Sequence, residues 1–137
     1  IVFDAIKSAS GAHHFLSVTK EGNSAIFSTS GNSYCHTILR GGSKKVNYDE
    51  KSIDEVSARL DKANLPQQIV VDCSHANSMK DHKKQMVVID DLAKQFRNGE
   101  KRIKGLMIES NLIEGNQNIN NENLILASSV LENFQEL

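Results

Sequence analysis

Apolar positions change their period several times along the chain, and each change marks an element. Residues 1–9 place Ile1, Val2, Ala5, Ile6 and Ala9 at helical spacing and stop at Gly11, which predicts a short helix. The runs HFLSVTK (14–20) and SAIFSTS (24–30) are rich in β-branched and aromatic residues and flank EGN, the pattern of a hairpin. YCHTILRGG (34–42) predicts a strand ended by Gly41 and Gly42. After a polar loop, YDEKSIDEVSARLDKAN puts Ile53, Val56 and Leu60 on one face, a helix that closes near Asn64 and Pro66. QQIVVDCSH (67–75) predicts a strand, residues 78–99 a long helix with a glycine stop, and RIKGLMIES (102–110) another strand. Strands with nearly continuous apolar content, separated by helices, predict an α/β fold with a parallel sheet covered by helices.

Size and charge narrow the picture. A chain of 137 residues, 39% hydrophobic and 24% charged, suits one soluble domain. The net charge of −1 offers no basic face for nucleic acid or an anionic membrane, and the lysine clusters (Lys44, Lys45; Lys83, Lys84; Lys101, Arg102, Lys104) are interspersed with acids. No apolar run reaches membrane-spanning length and no leader is visible. Cys35 and Cys73 lie far apart without a CxxC spacing, which predicts reduced thiols and a cytoplasmic location. A chain that opens on Ile1, in what reads as mid-helix, is expected to be part of a longer protein. The Asn-rich stretch NQNINNEN (116–123) reads as an exposed loop.

The chemistry sits at the strand ends. TILRGG finishes in Arg40, VVDCSH in His75 and LMIES in Glu109. In parallel α/β folds the carboxyl ends of the strands share one face, so these three side chains are expected to converge although they are distant in sequence. Imidazole nitrogen and carboxylate oxygen are ligands for a divalent transition metal, and the fork of arginine suits a phosphate or carboxylate. Taken singly, each could be a cap or a solvent-facing group; three successive strands ending alike favour a site. Cys73 could be a thiolate nucleophile, but no activating base is identifiable and a small core residue is the expectation. Cys35 and His36 lie at the far end of their strand. His13 and His14 open the hairpin without metal-site spacing, and His82 sits on a lysine-rich helix face.

At these residues the sequence resembles a known family. SVTKEGNSAIFSTSGNSYCHTILRGG, VVDCSHANSMKDHKKQM and GLMIESNLIEGNQ are similar to the carboxyl-terminal part of the class I microbial 3-deoxy-D-arabino-heptulosonate 7-phosphate (DAHP) synthases, over about residues 1–126. The resemblance implies a (β/α)₈ TIM barrel, of which this chain supplies the last three strands with their helices and an extra β-hairpin, as one partial domain over residues 1–137. It implies condensation of phosphoenolpyruvate with erythrose 4-phosphate and release of phosphate, the opening step of the shikimate pathway to aromatic amino acids. A divalent metal cation (Mn²⁺, Fe²⁺, Co²⁺ or Zn²⁺) is implied as cofactor, with a homo-oligomeric enzyme and an aromatic amino acid as possible inhibitor. By motif, Arg40 matches the arginine that holds the phosphoenolpyruvate phosphate, His75 and Glu109 match two metal ligands, and Phe15 and Ser17 match positions lining the inhibitor pocket.

Departures matter as well. The family's other metal ligands are a cysteine on the first barrel strand and an aspartate after the last, in a segment usually carrying a tryptophan; this chain matches neither and has no Trp. LENFQEL follows LILASSV at once, which suggests a sequence gap between Val130 and Leu131. With two of four ligands, the chain alone is expected to bind metal feebly and to be inactive. Rival readings are the related synthase that uses arabinose 5-phosphate, a non-catalytic half-barrel that self-associates through its open sheet edges, and a generic metal-dependent hydrolase. The last leaves Arg40 and its two glycines unexplained.

Overall fold

A computed structural model describes residues 2–43 and 45–110. The Asn-rich stretch and the suspected gap between 130 and 131 lie outside the described residues. Helix α1 (Val2–Ser10) leads into an antiparallel hairpin, β1 (His13–Val18) and β2 (Ser24–Thr29). Strand β3 (Thr37–Leu39), helix α2 (Glu50–Lys62), strand β4 (Ile69–Asp72), a 3₁₀ turn (His82–Lys84), helix α3 (Gln85–Arg97) and strand β5 (Ile103–Met107) follow. The last three strands form a parallel sheet in the order β3-β4-β5.

Both long helices pack on one face of this sheet. Ile53 and Leu60 of α2, and Val88 and Leu92 of α3, bury themselves against Leu39, Ile69, Val71 and Ile103. Full burial of such side chains contributes about 1.5–3 kcal/mol each. Val56, expected on the same face, packs at the margin. Local chemistry sets the helix ends. Asp49 Oδ1 accepts the Ser52 N–H at 3.0 Å and so caps α2. Asn64, in left-handed conformation at φ 55°, closes it: the Asn64 and Leu65 N–H groups return to Asp61 and Leu60.

Four expectations need correction. The helix expected over 78–99 starts only at Gln85, because Met79 and Lys80 adopt left-handed φ of 55° and 62°, which no α-helix tolerates. The strands are shorter than their apolar runs; β3 keeps three residues, the ones that pair with Ile69, Val70 and Val71 of β4. Among the described residues the helices cover one face of the sheet; Ile38, Val70 and Gly105 share the other, where Ile38 is exposed. In α1 the described part of the predicted stripe is largely exposed: Val2, Ala5 and Ala9 face solvent and Ile6 is buried, while the unpredicted Phe3 packs on the core beneath the Arg59 guanidinium, 5.0 Å from its ring centroid.

Candidate functional site

Parallel strands bring their carboxyl ends to one edge, and the three expected residues follow those ends directly. Arg40 comes one residue after β3, His75 three after β4 and Glu109 two after β5. His75 Nε2 lies 3.6 Å from Glu109 Oε1, and both side chains are largely buried. Arg40 is exposed, yet its charge acts on the Glu109 carboxyl. The structure therefore brings all three to one rim.

His75 is held firmly. Its backbone is left-handed at φ 51°, a conformation that costs a non-glycine residue about 1–2 kcal/mol and persists where surroundings enforce it. Enforcement comes from the buried Asp72, whose Oδ2 lies 2.9 Å from His75 Nδ1 while Oδ1 accepts the Ser74 N–H at 2.9 Å. A proton on Nδ1, facing Asp72 Oδ2 at 2.9 Å and Ser74 Oγ at 3.2 Å, would leave the Nε2 lone pair on the side of Glu109. Asp72 stands against the His75 ring, a contact to which sequence reasoning gave no part. The signal was present: a carboxylate closing the apolar run IVVD is buried, and a buried carboxylate needs a partner.

Glu109 supplies the second donor. Burial holds its carboxyl above the usual carboxylate range; the Ser74 hydroxyl, His75 and Arg40 pull it down, while Asp72 adds to the rise. Its Oε2 is buried without a hydrogen-bond partner. The 3.6 Å between His75 Nε2 and Glu109 Oε1 is close to the roughly 3–3.5 Å that separates two donors on one divalent cation at bonds of about 2.1 Å, and the carboxylate's other oxygen is left without a partner. Among the described residues no group of three or more His, Cys, Asp or Glu side chains is placed to hold a metal, so the rim offers two donors rather than a full set.

Asn77 ties the rim together. Its buried Nδ2 donates to Leu39 O at 3.1 Å and Asp72 O at 2.8 Å, and its Oδ1 accepts the Asn47 N–H at 2.9 Å. Asn47 Oδ1 in turn accepts the Gly41 N–H at 2.7 Å. One carboxamide thus joins the ends of β3 and β4 and fixes the loop after Arg40. Beside it, Gly42, Lys45, Val46, Ala76, Met79 and Lys80 line an open cavity of about 530 Å³.

The chain matches the DAHP synthetase I family over residues 1–137. It belongs to that family. It is 55% identical over 119 residues to the Phe-sensitive phospho-2-dehydro-3-deoxyheptonate aldolase of Escherichia coli K12, covering 87% of this chain and 34% of that protein. The tyrosine-inhibited phospho-2-dehydro-3-deoxyheptonate aldolase of Candida albicans is 47% identical over 118 residues, covering 85% of this chain and 32% of its own length. A solved phospho-2-dehydro-3-deoxyheptonate aldolase from Francisella tularensis superposes with a TM-score of 0.85 at 45% identity, over 98% of this chain and 39% of that one. The chain therefore spans about a third of the length of the curated relatives it matches.

The other candidates from the sequence lie on the hairpin, in or at the margin of the core, or at the starts of elements. Phe15 and Ser17 lie on the hairpin, where Phe15 stacks on Phe27 at 6.0 Å between centroids and Ser17 is half-buried opposite Ala25. Cys73 is a core residue, as expected: it is fully buried, and burial, reinforced by Asp72, pushes its thiol up to about 11. Cys35 packs at the core margin and donates to Asn32 O at 3.2 Å. His13 and His14 open β1, and His82 opens the 3₁₀ turn.

Proposed function

We propose that this chain is the carboxyl-terminal portion of a DAHP synthase, a metal-dependent enzyme that condenses phosphoenolpyruvate with erythrose 4-phosphate and releases phosphate. The observation that carries the reading is the meeting of His75 Nε2 with Glu109 Oε1 at 3.6 Å, beside a buried orphaned Oε2, at the strand edge that also presents Arg40. The half-covered parallel sheet suits the last three strands of a TIM barrel whose other strands come from the rest of a longer protein, so residues 1–137 form one partial domain. No helix among the described residues is long and apolar enough to cross a membrane; a cytoplasmic location is part of the proposal.

Each rim residue has a task in this reading. Arg40 presents a planar, permanently charged fork to the phosphate of phosphoenolpyruvate and so orients its enol carbon. His75, with Nδ1 engaged by Asp72, and Glu109 would hold the divalent cation, Mn²⁺, Fe²⁺, Co²⁺ or Zn²⁺. When bound, that cation supplies Lewis acidity toward a carbonyl oxygen. Asn77 and Asn47 keep the arginine loop at a fixed distance from the two donors, which preserves the approach of the reactants. Phe15 and Ser17 are the proposed contribution of the hairpin to a pocket for an aromatic amino acid, and homo-oligomeric assembly completes the proposal.

The test is phosphate release by the complete synthase. Release is expected to require both phosphoenolpyruvate and erythrose 4-phosphate, to stop with a chelator and to return with Mn²⁺. Equal turnover of arabinose 5-phosphate would overturn the sugar assignment, and chelator-insensitive turnover would overturn the metal site.

Asp72 gives a second, independent expectation. In Asp72→Asn the side-chain oxygen still accepts the Ser74 N–H, which turns an NH₂ toward His75 Nδ1 and drives the ring proton onto Nε2. Mn²⁺ affinity is expected to fall about 10–100-fold, as for other partners that orient a metal-bound imidazole, and calorimetric titration reads it directly. Unchanged affinity would mean that Asp72 does not set the imidazole's ligand nitrogen.

A further inference from the structure

Gln85, the first residue of α3, is almost completely buried. Its Nε2 donates to the Glu109 carbonyl at 3.0 Å and its Oε1 accepts the Glu109 N–H at 3.1 Å. Both main-chain groups of Glu109 are thus paired with one side chain, two residues beyond the end of β5, where the ladder with β4 has stopped. The carboxamide serves as a one-residue strand. We infer that Gln85 is a positioning residue: it fixes the backbone of Glu109 and thereby sets where the Glu109 carboxylate stands relative to His75.

Residue type supports this. Burying a carboxamide is unfavourable unless both its groups are paired, so a buried Gln on the apolar face of a helix needs a specific reason. Glutamine alone among side chains of that length carries a donor and an acceptor at one planar end. Glutamate would keep the acceptor and turn an anion toward the Glu109 carbonyl; methionine keeps the length and loses both groups. Gln85 lies ten residues beyond His75, so one connection from β4 to α3 carries both a proposed ligand and the clamp on the other.

The inference rests on the metal reading of the rim, and the experiment separates the two. Gln85→Met, Gln85→Glu, Glu109→Ala and a core truncation remote from the rim, Leu92→Ala, are made in the complete synthase. Each is titrated with Mn²⁺ alone, by calorimetry and by the paramagnetic resonance of the bound ion. Both Gln85 variants are expected to bind Mn²⁺ about 10–100-fold more weakly, with an altered resonance spectrum, while Leu92→Ala binds like the parent. Turnover at saturating Mn²⁺ is expected to recover to within about threefold, since the ligands themselves remain. If Glu109→Ala leaves Mn²⁺ binding intact, the metal reading fails and this inference falls with it. If Glu109→Ala abolishes binding while the Gln85 variants keep it, only the role of Gln85 is overturned. Equal weakening in Leu92→Ala, or loss of the fold in both Gln85 variants, assigns Gln85 to general stability and also overturns it.

Discussion

His75→Ala is expected to lower phosphate release by the complete synthase about a thousandfold or more and to leave Mn²⁺ binding undetectable at concentrations that saturate the parent. A Lewis acid contributes several kcal/mol of transition-state stabilisation, and each 1.36 kcal/mol is a factor of ten in rate. Alanine removes one of the two donors at the rim and leaves the other, Glu109, with its orphaned Oε2 and the nearby Asp72 charge. The substitution also releases the Asp72 carboxylate, which is buried and loses its imidazole partner at 2.9 Å. Stability is expected to fall as well, by about 1–3 kcal/mol, because the buried Asp72 carboxylate loses its imidazole partner and keeps the Ser74 N–H. A urea melt run beside the assay separates the two effects. Retention of more than a tenth of the activity would show that the imidazole is no part of the reacting centre.

What the sequence revealed followed from periodicity, and what it concealed followed from contacts that periodicity does not encode. Arg40, His75 and Glu109 were legible because each ends an apolar run, and parallel pairing then places run ends on one edge. The close of α2 near Asn64 and the glycine stop of α3 at Gly99, φ 97°, were equally local. The carboxamide contacts were not. Asn77 reaches Leu39 across 38 positions and Gln85 reaches Glu109 across 24, and either residue reads as ordinary loop or helix polarity until the chain is folded. Gln85 did leave a trace: it occupies the same stripe as Val88 and Leu92, a polar residue at an apolar position. The late start of α3 was hidden because nothing in the residue types of Met79 and Lys80 announces positive φ. The exposed second face of the sheet runs against the sequence signal itself: a nearly continuous apolar run such as IVV predicts cover on both faces, and among the described residues Ile38 stays exposed.

Gly41→Ala is expected to destabilise the protein by about 2–5 kcal/mol, whereas Gly42→Ala, one residue later, changes stability by less than about 1 kcal/mol. The two glycines of ILRGG differ in what a methyl group would meet. At Gly41 the backbone is left-handed, φ 78°, and a Cβ would stand 2.7 Å from the Ala76 Cβ and 2.8 Å from the Ala76 carbonyl carbon and the Asn77 nitrogen. Left-handed backbone alone costs an alanine about 1–2 kcal/mol, and the overlap with main chain adds about 1–3 kcal/mol because no flexible side chain can give way. At Gly42 the nearest atom is the Lys45 carbonyl oxygen at 3.8 Å, an ordinary contact, and the reduced freedom of the unfolded chain offsets what remains. Gly41 is therefore where the loop after β3 touches the loop after β4, and a methyl there pushes Arg40 away from His75 while straining the Asn47 and Asn77 bonds that hold both loops. Phosphoenolpyruvate affinity should fall with stability in Gly41→Ala and stay unchanged in Gly42→Ala. Urea midpoints and substrate titrations on the pair read this directly, and equal behaviour of the two variants would show that the close approach of these loops does not set the position of Arg40.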